Sequence, residues 1–427
     1  MQGTAVTDRG GAGRPSAWLP LALTLVLLPG CLHKPAAAFD PARFAEIDAA
    51  INSFIDAGKL PGATFWMERS GGGSYHRAFG KYTFDADAPA VNMSTLFDAA
   101  SVTKVLATAP SVLLLVEDGR LSLDAPLVTY LPECSGGGKE AITLRHLLTH
   151  TSGLVPGLPA TPAWRGEAAA LSLACMQTVT HAPGSFFRYS DINFILLGLV
   201  VQRVSGVPLN EFAQQRVFAP LRMNDTGYLP LKRFPATRVA PTQKIDHHPG
   251  TLHGDVSDGR IQAVVHDPTV RFMGGVGGSA GVFTTAGDVA RYARMLLNEG
   301  ELDGVRVLSR ESVRLMTTVQ TSAGVEWRRG AGMDIDTPYS RPRGSLFPIG
   351  SYGHTGFTGC VLWIDPYSKT FYVFLSNRVY PDDKANVLEL YSKLGTLVAG
   401  AVLDFDFAHV AGALPPRPAP AMPLPRN

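Results

Sequence analysis

The chain has 427 residues, of which 45% are apolar and only 17% charged, with 44 glycines and 32 prolines. So large an apolar share excludes a disordered chain, and the absence of a strict short repeat excludes a coiled coil or a collagen. The net charge of +2 is spread over both signs without a basic block, which excludes the electrostatic footprint of a nucleic-acid binder.

At the N-terminus, Arg9 and Arg14 precede an apolar run over residues 18–28, and Leu28-Pro29-Gly30-Cys31 follows. A basic start, a short apolar stretch and a small residue before Cys resemble a bacterial lipobox. That implies a signal peptide over residues 1–30 and lipidation of Cys31 as the first mature residue. Leu32 stands where an Asp would favour the inner membrane, so the expected location is the cell envelope, on an outer-membrane lipid anchor facing the periplasm. An ordinary secretory signal with a coincidental Cys31 is the alternative.

Residues 44–60 have Ile47, Ile51, Phe54 and Ile55 on one helical face, with Gly58 as the stop. Residues 62–67 and 75–80 are β-rich and flank Ser70-Gly71-Gly72-Gly73, a hairpin signal. Residues 101–117 predict a strongly apolar helix closed by Asp118-Gly119. Further helices are predicted over residues 144–150, 194–204 and 287–297, separated by long Pro/Gly loops. Residues 360–365 and 370–376 flank Pro366-Tyr367-Ser368-Lys369 as a second hairpin, and residues 384–402 predict a closing helix. Strands at both ends with helices between predict an α+β fold: one antiparallel sheet built from both termini, flanked by helices, with a mainly helical insertion over roughly 120–340. The body is expected over residues 31–413, with a disordered Pro-rich tail over 414–427. After Cys31 the remaining cysteines are Cys134, Cys175 and Cys360. An odd number without a CxxC pair argues against a disulfide framework or a cysteine zinc site and predicts buried apolar fillers.

Ser101-Val102-Thr103-Lys104 opens the apolar helix, and an i, i+3 spacing puts hydroxyl and amine on one face. Serine is a weak nucleophile that needs a neighbouring base, a role open to a desolvated lysine. Tyr189-Ser190-Asp191 follows 85 residues beyond Lys104, and His354-Thr355-Gly356 opens a strand. In this order, and with Leu121-Ser122-Leu123-Asp124-Ala125-Pro126, the run from His146 through Thr149-His150-Thr151-Ser152-Gly153, and Gly353-His354-Thr355-Gly356-Phe357-Thr358-Gly359, the set resembles the serine β-lactamase and penicillin-binding superfamily. The resemblance is to its class C-like branch of esterases and D-Ala-D-Ala carboxypeptidases, over residues 45–403. It implies a β-lactamase/transpeptidase-like fold and a cofactor-free serine hydrolase. Ser101 would attack an acyl carbon, Lys104 and Tyr189 would share the general-base role, and the backbone N–H groups of Ser101 and Phe357 would hold the oxyanion. Asp191, His354, Thr355 and Gly356 would line the substrate. The chain departs from the pattern twice. His354 stands where lactamases of this branch mostly have Lys, which demotes efficient β-lactam hydrolysis. Asp191 replaces the usual Asn and sets a carboxylate beside Lys104.

Competing signals are weaker. Gly277-Gly278-Ser279-Ala280-Gly281 matches the GxSxG nucleophile elbow, but a strand rather than a helix is expected after it, so a packed turn beneath the site is the preferred reading. His247, His248, His253 and His266, with Asp246, Asp255, Asp258 and Asp267, match no established ligand spacing, and His146 and His150 lack the Glu of a zinc hydrolase helix. No metal or cofactor is expected. The substrate would be a small molecule or a peptidoglycan peptide, with esters or D-alanyl-D-alanine amides as acyl donors, and the oligomeric state is left open. Two alternatives remain: a non-catalytic penicillin-binding or wall-sensing module, and a metal-dependent hydrolase built on the His-rich loop.

Overall fold

The computed structural model describes residues 38–245 and 259–417. The signal-peptide and Cys31 expectations lie outside these residues. So do His247, His248 and His253, with Asp246, Asp255 and Asp258 of the His-rich loop.

A seven-stranded antiparallel sheet organises the body. Its order is Arg328–Arg329, Asp334–Asp336, Tyr352–Gly356, Cys360–Asp365, Thr370–Ser376, Gly62–Arg69 and Gly73–Gly80. Both predicted hairpins are present, and the N-terminal pair joins the C-terminal strands through Ala63 opposite Ser376 and Arg69 opposite Thr370. Side chains alternate faces along a strand, so each central strand feeds two cores. Phe65, Met67, Val361, Trp363, Tyr372 and Phe374 pack with Ile47, Ile51, Leu390, Leu394 and Val398 from the helices Phe44–Asp56 and Leu388–Ala401. Leu362, Ile364, Phe371, Val373 and Leu375 face the other way, onto Val289, Tyr292 and Met295 of Ala286–Leu297 and the helical insertion beyond.

Several boundaries differ from expectation. The insertion ends before Arg328, because Arg328–Arg329 and Asp334–Asp336 belong to the main sheet; strands of two or three residues are too short to show periodicity. The helix expected over 101–117 is a 3-10 turn at Ala100–Val102, a π-helical turn at Lys104–Thr108 and an α-helix only at Ala109–Glu117. Pro110 has no N–H for the Leu106 carbonyl, so an α ladder cannot run unbroken through the segment. The helix after Tyr189 starts at Asp191, three residues early, and the closing helix starts at Leu388, where the Asn386 side chain accepts from the Leu388 N–H.

Two corrections follow from packing. Cys134 and Cys175 form a disulfide, because the turn Pro132–Cys134 and the helix Glu167–Met176 meet with the two Cα atoms 4.4 Å apart. An odd count leaves one cysteine over, the buried Cys360, and says nothing against a pair. The stretch after Leu414 does not start out as a free tail. The Leu414 N–H donates to Ile349 at 2.8 Å, Arg328 donates to the Pro415 carbonyl, and Arg417 lies 3.7 Å from the Trp327 ring and 2.9 Å from Asp336. Residues 418–427 lie outside the described residues.

Candidate active site

A small three-stranded sheet delivers the first residues. Phe97–Asp98 pairs with Val282–Thr284, and the Ala99 N–H donates to the Val282 carbonyl at 2.9 Å. This pairing lays the Gly277–Gly281 turn under the start of the Ser101 segment. The buried Asp98 carboxylate accepts from the N–H groups of Ala100 and His266, and burial pushes its pKa up to about 6 against those two bonds. Ala100 is thereby held at φ 46°, in the left-handed region that a residue with a side chain rarely adopts. Ser101 emerges from this bend half-buried at the cleft floor.

Lys104 is fully buried and donates to three acceptors: Ser101 Oγ at 3.1 Å, Asp191 Oδ1 at 2.7 Å and the Ser279 carbonyl at 2.8 Å. Three acceptors match the three protons of an ammonium. Burial opposes that charge, but Asp191 and then Tyr189 outweigh it, and the Lys104 pKa lies above its ordinary value. The Ser279 carbonyl escaped sequence reasoning, since a backbone atom leaves no residue-type signature. Thr108 Oγ1 holds the turn from the other side through the Gly278 carbonyl, and a Cβ on Gly278 would run into the Phe194 carbonyl. The turn therefore sits beneath the site as expected, with a strand after it, while the Ser279 hydroxyl is buried without a hydrogen-bond partner among the described residues.

Tyr189 lies with its ring centroid 5.1 Å from Lys104 Nζ and 6.1 Å from the His354 ring. Tyr352–Gly356 brings in the third motif. A Cβ on Gly356 would run into the Ala99 carbonyl, so only glycine lets this strand close on the bend that carries Ser101. Thr358 Oγ1 fastens the approach by donating to the Asp98 carbonyl at 2.6 Å. His354 is buried, and desolvation with Arg329 and Lys104 nearby keeps its pKa well below the ordinary value, so it is neutral. Phe357, 51% exposed, forms the rim, braced by Arg378, whose Nε donates to the Phe357 carbonyl at 2.8 Å.

The cleft has a volume of about 540 Å³ and is lined by Ser101, Tyr189, His354, Thr355, Gly356 and Phe357. All the residues singled out in the three motifs thus converge, with Asp191 at the Lys104 end. Arg329, Asp334, Tyr339 and Arg378 also line the cleft; they belong to no motif and no local pattern marks them. Arg329 is buried, 3.5 Å from Asp334, and donates to the Gly332 carbonyl at 3.0 Å. The two described members of the His-rich group do other work. His266 Nε2 is 2.6 Å from Gln243 Oε1, and Asp267 caps the helix Pro268–Phe272. His146 Nδ1 accepts from the Thr143 N–H in a capping box. Among the described residues no group of three or more His, Cys, Asp or Glu is placed to hold a metal ion.

The fold that brings Ser101, Lys104, Tyr189 and His354 together is the β-lactamase/transpeptidase-like fold. The chain belongs to the beta-lactamase family, whose model matches residues 47–395. It is similar to an Escherichia coli (strain K12) protein that carries the provisional name D-alanyl-D-alanine carboxypeptidase, with 28% identity over 419 residues covering 87% of this chain and 92% of that one. It is also 29% identical over 392 residues to the N-acetylmuramyl-L-alanine amidase of Bacillus subtilis (strain 168), covering 84% and 88%. Among solved structures, the D-amino acid amidase of Ochrobactrum anthropi shares the fold with a TM-score of 0.65 at 19% identity, covering 84% of this chain and 99% of that one. The chain is a hydrolase of that family.

Proposed function

We propose that the protein hydrolyses esters or D-alanyl-D-alanine-type amides in the cell envelope through an acyl-enzyme on Ser101. The observation that carries this reading is the 3.1 Å hydrogen bond from the buried Lys104 ammonium to Ser101 Oγ, at the floor of an open cleft. In the acylation step Ser101 Oγ bonds to the acyl carbon while its proton passes to the Lys104–Tyr189 pair, which has lost one shared proton beforehand. The tetrahedral oxyanion lies between the N–H groups of Ser101 and Phe357. The leaving alcohol or amine takes the proton, and water then cleaves the acyl ester by the same route in reverse.

The neutral His354 supports ester or peptide substrates over β-lactams, because it does not supply the permanent ammonium that lactamases of this branch carry there. The name of the Escherichia coli relative supports the D-alanyl amide class, and that of the Bacillus subtilis relative supports amide cleavage more broadly. The Cys134–Cys175 disulfide supports an oxidising, extracytoplasmic compartment, in agreement with the apolar segment before Cys31.

The test is labelling by a fluorophosphonate and by penicillin, followed by mass spectrometry, together with ester turnover in chelator. Ser101→Ala is expected to lose labelling and at least about 10³-fold in turnover, while Ser279→Ala keeps both. Loss of labelling in Ser279→Ala alone would overturn the assignment, stable acylation without turnover would favour a binding module, and chelator-sensitive turnover would favour a metal enzyme. Cys31→Ala is expected to move the protein from the detergent phase to the aqueous phase without changing its specific activity. Equal retention of both forms would remove the lipid anchor.

A further inference from the structure

The motif segment ending in His150-Thr151-Ser152-Gly153 is not used by the chemistry above, yet it lies against it. His150 follows the short helix Leu144–Leu148 and adopts φ 57°, a left-handed conformation that turns its side chain and its carbonyl to the same neighbouring strand of chain. That neighbour is Arg188-Tyr189-Ser190. The Arg188 N–H donates to the His150 carbonyl at 2.9 Å, and the Ser190 N–H donates to His150 Nδ1 at 3.2 Å. The two bonds bracket Tyr189. Between them the imidazole stacks on the Tyr189 ring, with centroids 4.3 Å apart and planes 26° from parallel.

We propose that His150 is a positioning residue for Tyr189, gripping it by its backbone and its ring at once. The inference rests on the reading that Tyr189 shares the general-base role. A phenol oxygen stands far from its own Cα, so a ring tilt of roughly 10° carries it about 1 Å, a misplacement large enough to cost on the order of 10²-fold in rate. Stacking alone would leave the ring free to slide, and the backbone bonds alone would leave it free to tilt. Together they fix the oxygen.

The grip is itself locked. Asn193 Nδ2 lies 3.2 Å from His150 Nδ1, and its orientation is set because Asn193 Oδ1 accepts from Ser152 Oγ at 2.6 Å. Phe187 meets the imidazole edge-on, and Phe194 packs at a centroid distance of 5.1 Å. A backbone N–H can only donate, so Nδ1 is the acceptor and the proton of the neutral ring is on Nε2. Nε2 is buried and has no hydrogen-bond partner among the described residues. A second proton would have to enter at Nδ1, against the Ser190 and Asn193 donors. The charged and titratable groups that face the ring are Tyr189, Arg329, Lys104 and His354; burial first, and then Arg329, Lys104 and His354, hold the His150 pKa well below its ordinary value. Burial and these neighbours therefore favour the uncharged imidazole in the stack.

A double-mutant cycle with Tyr189→Phe tests the coupling. The Tyr189→Phe ring keeps its place, but there is no hydroxyl left to position. Single-turnover acylation by a chromogenic ester is measured per site titrated with fluorophosphonate, which removes misfolded protein from the comparison. With Tyr189 intact, His150→Phe, which keeps a ring but loses the acceptor, is expected to slow acylation by about 10- to 100-fold with little change in KM. In the Tyr189→Phe background the same substitution is expected to cost less than about threefold. His150→Gln, which keeps an acceptor and loses the stack, gives the same cycle where His150→Phe does not accumulate as folded protein. Losses that multiply in the double variant would overturn the proposal, since His150 would then act without Tyr189. A fully active Tyr189→Phe enzyme would overturn the role of Tyr189 itself, and it is distinguishable because the single variant alone reveals it.

Discussion

Asp191 sets a carboxylate against the buried Lys104 ammonium, and its removal has a calculable consequence. The carboxylate lies 2.7 Å from Lys104 Nζ. Two unit charges at that separation interact by about 1.5 kcal/mol at the dielectric constant of water and about 3 kcal/mol at half that value. Asp191 is 36% exposed, so solvent screening keeps the effect near the lower figure. That attraction favours the fully protonated, cationic Lys104–Tyr189 pair over the pair that has lost one proton, and it is among the causes that hold the Lys104 pKa above its ordinary value. On the proposed mechanism, the active base therefore forms only at higher pH. Asp191→Asn keeps an oxygen acceptor for the ammonium and deletes the charge. The acidic limb of its kcat/KM profile is expected to move to lower pH by about one unit, the scale of about 1.4 kcal/mol. The assay is chromogenic-ester hydrolysis from acid to alkaline pH, with both proteins normalised by active-site titration. A limb that stays in place or moves upward would refute the reasoning, because the charge at Asp191 would then not bear on the shared proton.

Gly356→Ala drives a Cβ into the Ala99 carbonyl; labelling by fluorophosphonate is expected to slow by at least about tenfold, and unfolding to shift by about 1–3 kcal/mol, whereas native labelling rates would deny the close approach. Cys134→Ala with Cys175→Ala opens a loop of sequence separation 41, for which chain entropy gives a loss of up to about 4 kcal/mol. Denaturant midpoints with and without reductant measure it, and equal midpoints for native and reduced protein would show that the pair is not bonded in solution. His354→Lys buries an ammonium beside Arg329 and Lys104, so a loss of about 2 kcal/mol or more is expected in thermal unfolding, together with a rise in the ratio of β-lactam to ester turnover; an unchanged ratio would remove His354 from the control of specificity.

The amino-acid sequence by itself determined the class of fold and named most of the residues that the fold gathers at the candidate site. Both hairpins, the helix faces carrying Ile47 and Ile51, and the order of Ser101-Lys104, Tyr189 and His354 were legible because they are local: a periodicity of two or 3.6, a turn rich in glycine, or a spacing of three residues declares itself within one element. Where a local rule failed, the cause was a packing partner far along the chain. The turn carrying Cys134 and the helix carrying Cys175 meet only in the folded body, and residue parity cannot report that meeting. Arg417 folds back onto Trp327 and Asp336, although a Pro-rich stretch has no reason of its own to do so. The tertiary structure alone decided what surrounds each reactive group: the Ser279 carbonyl under Lys104, Arg329 and Asp334 in the cleft, and His150 against Tyr189. These contacts join residues up to 175 positions apart. Their charge and proton affinity depend on desolvation and on neighbours within a few ångströms, quantities that exist only once the chain has closed around them.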